Sequence, residues 1–324
     1  MTKLSTPIIV VVEHDAADVL TGASIDALRV GANLTTGPLL AVANVPEPDV
    51  AQLGSLGVES VFKVPSASAR LTAPVASGVT VLVEQLDATP AGVLLPPTYW
   101  GKELAGALAV KLGAGAVTDV DALAVNDGHI VASKTVLGGS WTTRFELVGG
   151  VPAISLAPTI AVDETDERAS TTPEVTALQD VEDGQVAVLT SIPLEGDAGA
   201  ALADAEVAVV GGRGTDGNFE LVQELADVLG GAVGATRDCC DEGWADRSVQ
   251  VGQTGITISP RLYVGLGVSG AIHHTCGIQG SGAIVAVCDD PDAPIFELAD
   301  FGVVGDLNDV VPAAIERLRE LQSQ

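Results

Sequence analysis

The sequence predicts an α/β protein of two domains. A chain of 324 residues is long for one small core and comfortable for two. Short β-rich runs alternate with helical stretches through the N-terminal half, the pattern of a parallel sheet covered by helices. In the C-terminal half, two glycine clusters each stand between an apolar strand and a helix.

The N-terminal strands are expected over residues 8–12, 39–42, 60–64, 79–83 and 92–95. After Pro96-Pro97, residues 101–112 (GKELAGALAVKL) place Leu104, Leu108 and Leu112 at helical spacing. From Val131 alternation without helical period (VASKTVLGGSWTTRFELV) predicts a β-hairpin around Gly138-Gly139. Residues 162–187 are acidic and Thr-rich with little apolar period, a linker or peripheral segment, and the domains are divided as 1–195 and 196–324. The second domain is expected to run helix 197–204, strand 207–210, GGRG, helix 219–229, strand 232–235, strand 262–264, helix 271–275 and strand 284–287.

The balance of 15 basic against 43 acidic residues gives a net charge of -28, which repels phosphate backbones and anionic membranes and predicts no nucleic-acid partner. Ten of the basic residues are Arg, and no Lys follows Lys134. Such a surface suits high salt and a halophilic host; an ordinary acidic cytosolic protein is the alternative. With no run of roughly 18 apolar residues and no charged-then-apolar leader, a cytoplasmic protein is expected. Cys239, Cys240, Cys276 and Cys288 form no CxxC pair and no zinc spacing, so neither a metal site nor a disulfide framework is indicated. Adjacent Cys239 and Cys240 read as small semi-buried side chains, with redox activity as the alternative.

Gly265, Gly267 and Gly270 stand in GxGxxG spacing directly after the strand RLYV. Glycines there let backbone approach a pyrophosphate, and the N–H groups opening the next helix supply partial positive charge. The same spacing also describes a tight turn without a ligand. The second cluster, Gly211-Gly212-Arg213-Gly214, carries a guanidinium suited to bidentate phosphate contact or, alternatively, to a surface ion pair. Two such loops favour a ligand with two ends. Thr236 and Arg237 follow the next strand. Arg237 suits an aromatic ligand or a developing negative charge, and Gln253 with Thr254 supplies neutral donors for ring carbonyls and nitrogens. A lone helical His is more often structural than functional, and only one of His273 and His274 can face a pocket from a helix. No GxSxG, HExxH or GxxxxGKS pattern occurs, which turns the reading from hydrolysis toward binding or redox carriage.

GGRG at 211–214, VGAT at 233–236 with Arg237, QVGQTG at 250–255, LYVGLGVSGAIHH at 262–274 and DDPDAPIFELADFGVVGDLNDVVP at 289–312 resemble the FAD domain of electron transfer flavoprotein alpha subunits. TYWGKELAGALAVKLGAGAVTDVDAL and IVASKTVLGGSWTTRFE resemble their first domain more loosely. The resemblance implies a nucleotide-hydrolase-like N-terminal α/β domain and a Rossmann-like FAD domain. It also implies a beta-subunit partner holding AMP or a second FAD, and an electron carrier without substrate turnover of its own. Electrons would pass from acyl-CoA dehydrogenases or related flavoenzymes, as in fatty acid beta-oxidation, to a membrane quinone oxidoreductase. A bifurcating or nitrogen-fixation-type carrier is the alternative within the family, and a non-redox nucleotide-binding regulatory subunit the alternative outside it.

By motif position, the FAD contacts implied are Arg213, Thr236, Arg237, Val251, Gly252, Gln253, Thr254, Ser269, Gly270, Ala271, Ile272, His273, His274, Asp306 and Leu307. Arg237 would lie against the isoalloxazine, Thr254 near its N5 edge, His274 near its O2 side and residues 269–271 around the pyrophosphate. Cys288 stands near the adenosine end where family members often carry Asn, and Ile256 replaces the usual Lys after QTG.

Overall fold

The computed structural model describes residues 3–15, 17–64, 71–137, 140–160, 162, 168–178, 189–190 and 198–322. The expected Gly138-Gly139 turn, most of the 162–187 segment and the 195/196 boundary lie outside these residues. The chain divides into two compact units, Met1–Pro193 and Leu194–Gln324.

The N-terminal unit contains strands β1 (Ile8–Val12), β2 (Leu39–Ala43), β3 (Ser60–Lys63), β4 (Gly92–Leu95), β5 (Ala116–Val120), β6 (Ala122–Asn126), β7 (His129–Val136), β8 (Trp141–Glu146), β9 (Ala153–Leu156) and β10 (Glu174–Ala177). Its helices are α1 (Gly22–Leu34), α2 (Val50–Ser55), α3 (Thr72–Gln85) and α4 (Tyr99–Leu112). Seven strands form a parallel sheet in the order β10-β3-β2-β1-β4-β9-β5. Every residue of β1 is buried. Ile8, Val10 and Val12 point into the core containing Leu28 of α1, while Ile9 and Val11 point into the core built with Val75, Val79 and Leu82 of α3 and Leu104 and Leu108 of α4. A strand apolar at every position is what a sheet covered on both faces requires.

β6, β7 and β8 make a separate antiparallel sheet. The β6–β7 turn is Asp127-Gly128, both at positive φ, the geometry whose twist matches paired strands.

The strand expected over 79–83 is instead the second half of α3. Its β-branched residues suit a strand locally, but Val75, Val79 and Leu82 fall at i, i+4 and i+7, and burying that stripe against the sheet outweighs residue propensity.

The C-terminal unit contains α5 (Ala198–Ala203), β11 (Val207–Gly211), α6 (Phe219–Leu229), β12 (Ala232–Ala235), α7 (Arg237–Asp241), β13 (Leu262–Leu266), α8 (Ile272–Thr275), β14 (Ile284–Cys288), β15 (Phe301–Val304) and α9 (Leu307–Gln322). Its sheet is parallel, in the order β12-β11-β13-β14-β15. Counted along the chain this is 2-1-3-4-5, a doubly wound order whose switch point lies between β11 and β13. Val209, Val264, Leu266 and Val287 pack with α6 and α9 on one face, while Ala208, Val210 and Tyr263 pack with Leu202, Cys239 and Cys240 on the other. Burial raises the Cys239 thiol and pushes Cys240 up to about 11, so both stay protonated packing groups. Among the described residues, no helix is long and apolar enough to cross a membrane.

Leu82→Ala is expected to lower the stability of the N-terminal unit by about 2–5 kcal/mol in urea unfolding, whereas Glu84→Ala, on the exposed face of the same helix, shifts it by less than about 0.5 kcal/mol. Equal effects at both positions would contradict the helix.

Candidate cofactor site

The C-terminal ends of β11 and β13 diverge into the two glycine clusters, and there the two loops press backbone against backbone. Gly212 N–H donates to Leu266 C=O at 2.8 Å and Gly214 N–H to Gly267 C=O at 3.0 Å. Gly267 has φ +64, and a Cβ there would stand 2.7 Å from the Gly214 backbone. Only glycine satisfies both the left-handed conformation and that approach. Gly270, at φ +85, is held in the same way against the backbone of Ile295, whose N–H donates to Ser269 C=O at 3.1 Å. The N–H groups of Ser269, Gly270 and Ala271 have no backbone acceptor among the described residues and remain available to an anion.

A second contact closes the opposite side. Gln253 N–H donates to His273 C=O at 2.7 Å, tying the tight turn 250–256 to the start of α8. Gly252 N–H donates to Ile256 C=O at 3.0 Å and Ile256 N–H to Gln250 C=O at 2.7 Å, so the turn is hydrogen-bonded across itself.

Between these walls lies a cavity of about 740 Å³. Of the residues singled out in the sequence, Arg213, Thr236, Arg237, Val251, Gly252, Gln253, Thr254, Ser269, Gly270, Ala271, His273, His274 and Cys288 line it. Three do not. Ile272 opens α8 with its side chain exposed outside the cavity. Asp306 accepts from the Asn308 N–H at 2.8 Å and so starts α9, and Leu307 is buried in the core beneath that helix. The motif alone implies residues 306 and 307, whereas the Asp306 side chain serves the helix start and that of Leu307 the core.

Sequence reasoning missed Asp238, Asp241, Gln250, Asp289 and Asp290 in the lining. A signal existed for one of them: Arg237 and Asp241 stand at i, i+4 on α7, and their side chains meet at 3.3 Å. Asp241 also pairs with Arg247, chiefly through the hydrogen bond that holds its carboxyl below the usual range. Arg213 faces Asp238 at 3.9 Å.

The donor set suits a ligand with an anionic group at one end and a polar ring at the other. Unused backbone N–H groups and Arg213 suit the anion, and Arg237, Thr254 and Gln253 suit the polar edge of a ring. Comparison with known families agrees. A model described as "Electron transfer flavoprotein FAD-binding domain" matches residues 201–279, and one described as "Electron transfer flavoprotein domain" matches residues 8–183.

The chain belongs to the electron transfer flavoprotein alpha-subunit family. It is 36% identical to the electron transfer flavoprotein subunit alpha of Mycobacterium leprae, over 96% of this chain and 98% of that one. It is likewise 36% identical to the Bacillus subtilis subunit alpha, over 72% of both chains, and 32% identical to Protein FixB of Clostridium saccharobutylicum, over 72% of both.

In this electron transfer flavoprotein alpha chain, the two adjacent histidines have different environments. His273 is exposed, with Nδ1 at 2.7 Å from Gln253 Oε1. His274 is 6% exposed, and both its ring nitrogens are engaged. Nδ1 lies 3.1 Å from Val251 C=O, which can only accept, so Nδ1 carries the proton and Nε2 accepts from the Tyr263 hydroxyl at 2.8 Å. Although His274 borders the cavity, this arrangement leaves no free ring N–H for a ligand carbonyl.

Burial pushes the His274 imidazole down to about 4, against an ordinary value of 6.5. The unfolded chain therefore takes up a proton that the folded chain refuses. The stability contribution is full above pH 6.5 and declines as pH falls toward 4, by an amount on the order of 3 kcal/mol. NMR is expected to show one imidazole titrating near 4, absent in His274→Gln; titration of that ring near 6.5 would contradict the buried neutral form.

Proposed function

We propose that this chain, paired with an electron transfer flavoprotein beta subunit, holds FAD in the C-terminal cavity. In this role it passes single electrons from acyl-CoA dehydrogenase-type flavoenzymes to a membrane quinone oxidoreductase. The observation that carries the reading is the convergence of thirteen motif residues on one cavity at the switch point of a doubly wound sheet. In this reading the beta subunit would hold AMP, a second FAD there belonging to the bifurcating alternative, and the chain would act as a cytoplasmic carrier without substrate turnover of its own. A second reading within the family is a nitrogen-fixation-type or bifurcating carrier. The two differ in flavin count per heterodimer: one for the simple shuttle and two for bifurcation.

FAD, when bound, supplies the electron-accepting ring; the chain's residues set its surroundings. Ser269, Gly270 and Ala271 would offer their N–H groups to the pyrophosphate, and Arg213 would add a guanidinium beside it. The Asp289 and Asp290 carboxylates at the end of β14 would accept from ribose hydroxyls, taking over from Cys288, whose buried thiol is a weak donor. Arg237 would place a permanent cation beside the ring, and Thr254 a hydroxyl donor. Both favour the form that has gained negative charge.

Replacing Arg237 with Ala is expected to lower the first one-electron potential of bound FAD by about 59 mV or more, a tenfold change in the reduced-to-oxidised ratio, in a spectroelectrochemical titration of the heterodimer. A folded, FAD-loaded Arg237→Ala protein with an unchanged potential would remove Arg237 from the ring.

A further inference from the structure

Along the cavity wall, side chains from α7 and the following segment form a chain of hydrogen bonds with only one consistent polarity. Arg247 pairs through one guanidinium nitrogen with Asp241, and its Nη1 donates to Gln250 Oε1 at 3.0 Å. Gln250 Nε2 lies 3.0 Å from Thr254 Oγ1. A guanidinium has no acceptor, so Gln250 must turn its carbonyl toward Arg247 and its NH₂ toward Thr254. The amide orientation, ambiguous for an isolated glutamine, is fixed by its neighbour. Gln250 is 3% exposed, and the turn that carries it closes on its own backbone, so it has little room to rearrange.

For Thr254 the consequence follows directly. Its oxygen already accepts a hydrogen bond from Gln250 on the protein side, so its proton is free for the exposed side, where the residue borders the cavity. We infer that Gln250, held in register by Arg247, is a positioning residue that makes Thr254 a committed hydrogen-bond donor toward the ring of the bound flavin. Its effect on the flavin passes through Thr254. The inference rests on the proposed flavin site and adds to it how the donor is oriented. A hydroxyl oriented in advance stabilises charge gained by the ring without reorganising when the electron arrives.

The inference is tested by a double-mutant cycle read as the potential of FAD bound to the heterodimer. Gln250→Glu keeps the size of the side chain and its link to Arg247 but exchanges the NH₂ donor for a carboxylate acceptor. Thr254 must then donate inward and turn its proton away from the cavity. Thr254→Val removes the hydroxyl and reports the added charge of the Gln250→Glu substitution by itself.

Gln250→Glu is expected to lower the potential further with Thr254 present than in the Thr254→Val background. The difference corresponds to about tenfold in the one-electron equilibrium, or about 59 mV. Arg247→Met, on an exposed side chain, releases the amide to flip; its smaller downward shift is likewise expected to shrink with Thr254→Val to the part due to the lost positive charge. That variant carries the test if Gln250→Glu fails to fold. Equal shifts in both backgrounds would overturn the inference. So would an FAD-loaded Thr254→Val protein with the wild-type potential, which leaves the cofactor reading intact. Wild-type heterodimer unable to hold FAD would overturn both.

Discussion

The site depends on two backbones touching. Gly212 and Gly214 after β11 meet Leu266 at the end of β13 and Gly267 just beyond it with no side chain between them. Parallel neighbours diverge at a switch point because their connections leave toward opposite faces of the sheet. Here the glycines hold the diverging loops together at their base, so the cavity opens beyond the contact. The positive φ of Gly267 then directs the chain into the 268–271 segment with its N–H groups unspent. The neighbouring turn at 250–256 is fixed to α8 by the Gln253–His273 backbone bond.

That geometry suits the electrostatics of this chain. A protein of net charge -28 presents an unfavourable long-range field to a pyrophosphate. Backbone N–H groups at contact distance act locally and carry no titratable charge. The arginines of the cavity are themselves restrained by carboxylates: Arg213 by Asp238, and Arg237 by Asp241, which it shares with Arg247. Acidic residues in the lining of the cavity therefore orient its cations, and Asp241 links Arg237 to the Arg247–Gln250–Thr254 chain.

Much of the fold is legible in sequence where local and tertiary preferences agree. β1, β4, α6 and β12 lie where apolar period and flanking glycines place them. The exception, residues 79–83, is a run whose β-branched residues favour a strand while its apolar spacing across 75, 79 and 82 favours a helix, and packing decides. β6 and its Asp127-Gly128 turn, outside the sequence expectations, carry a local signal in the Asp-Gly pair and the alternation on either side. In the site, glycine spacing reveals backbone geometry, so residues 251–254 and 269–271 converge on the cavity as their motifs imply. Side-chain direction is less visible. Neither Asp306 as a helix-starting carboxylate, nor the saturated ring of His274, nor the polarity imposed on Thr254 by Gln250 follows from spacing, because each depends on a partner distant in the chain or on which atom of a side chain is turned toward it.

The central claim is that the glycine contact at the switch point shapes a single flavin site in this chain. It is tested most directly by the visible absorbance of the chain co-purified with its beta partner, before and after loading with FAD, for the wild type and for Gly267→Val. The account predicts a yellow wild-type protein carrying one flavin in this subunit and a folded Gly267→Val protein that has lost it, since a branched side chain there forces the two loops apart. A wild-type protein that remains colourless after loading, or a Gly267→Val variant that keeps its full flavin content, would contradict it.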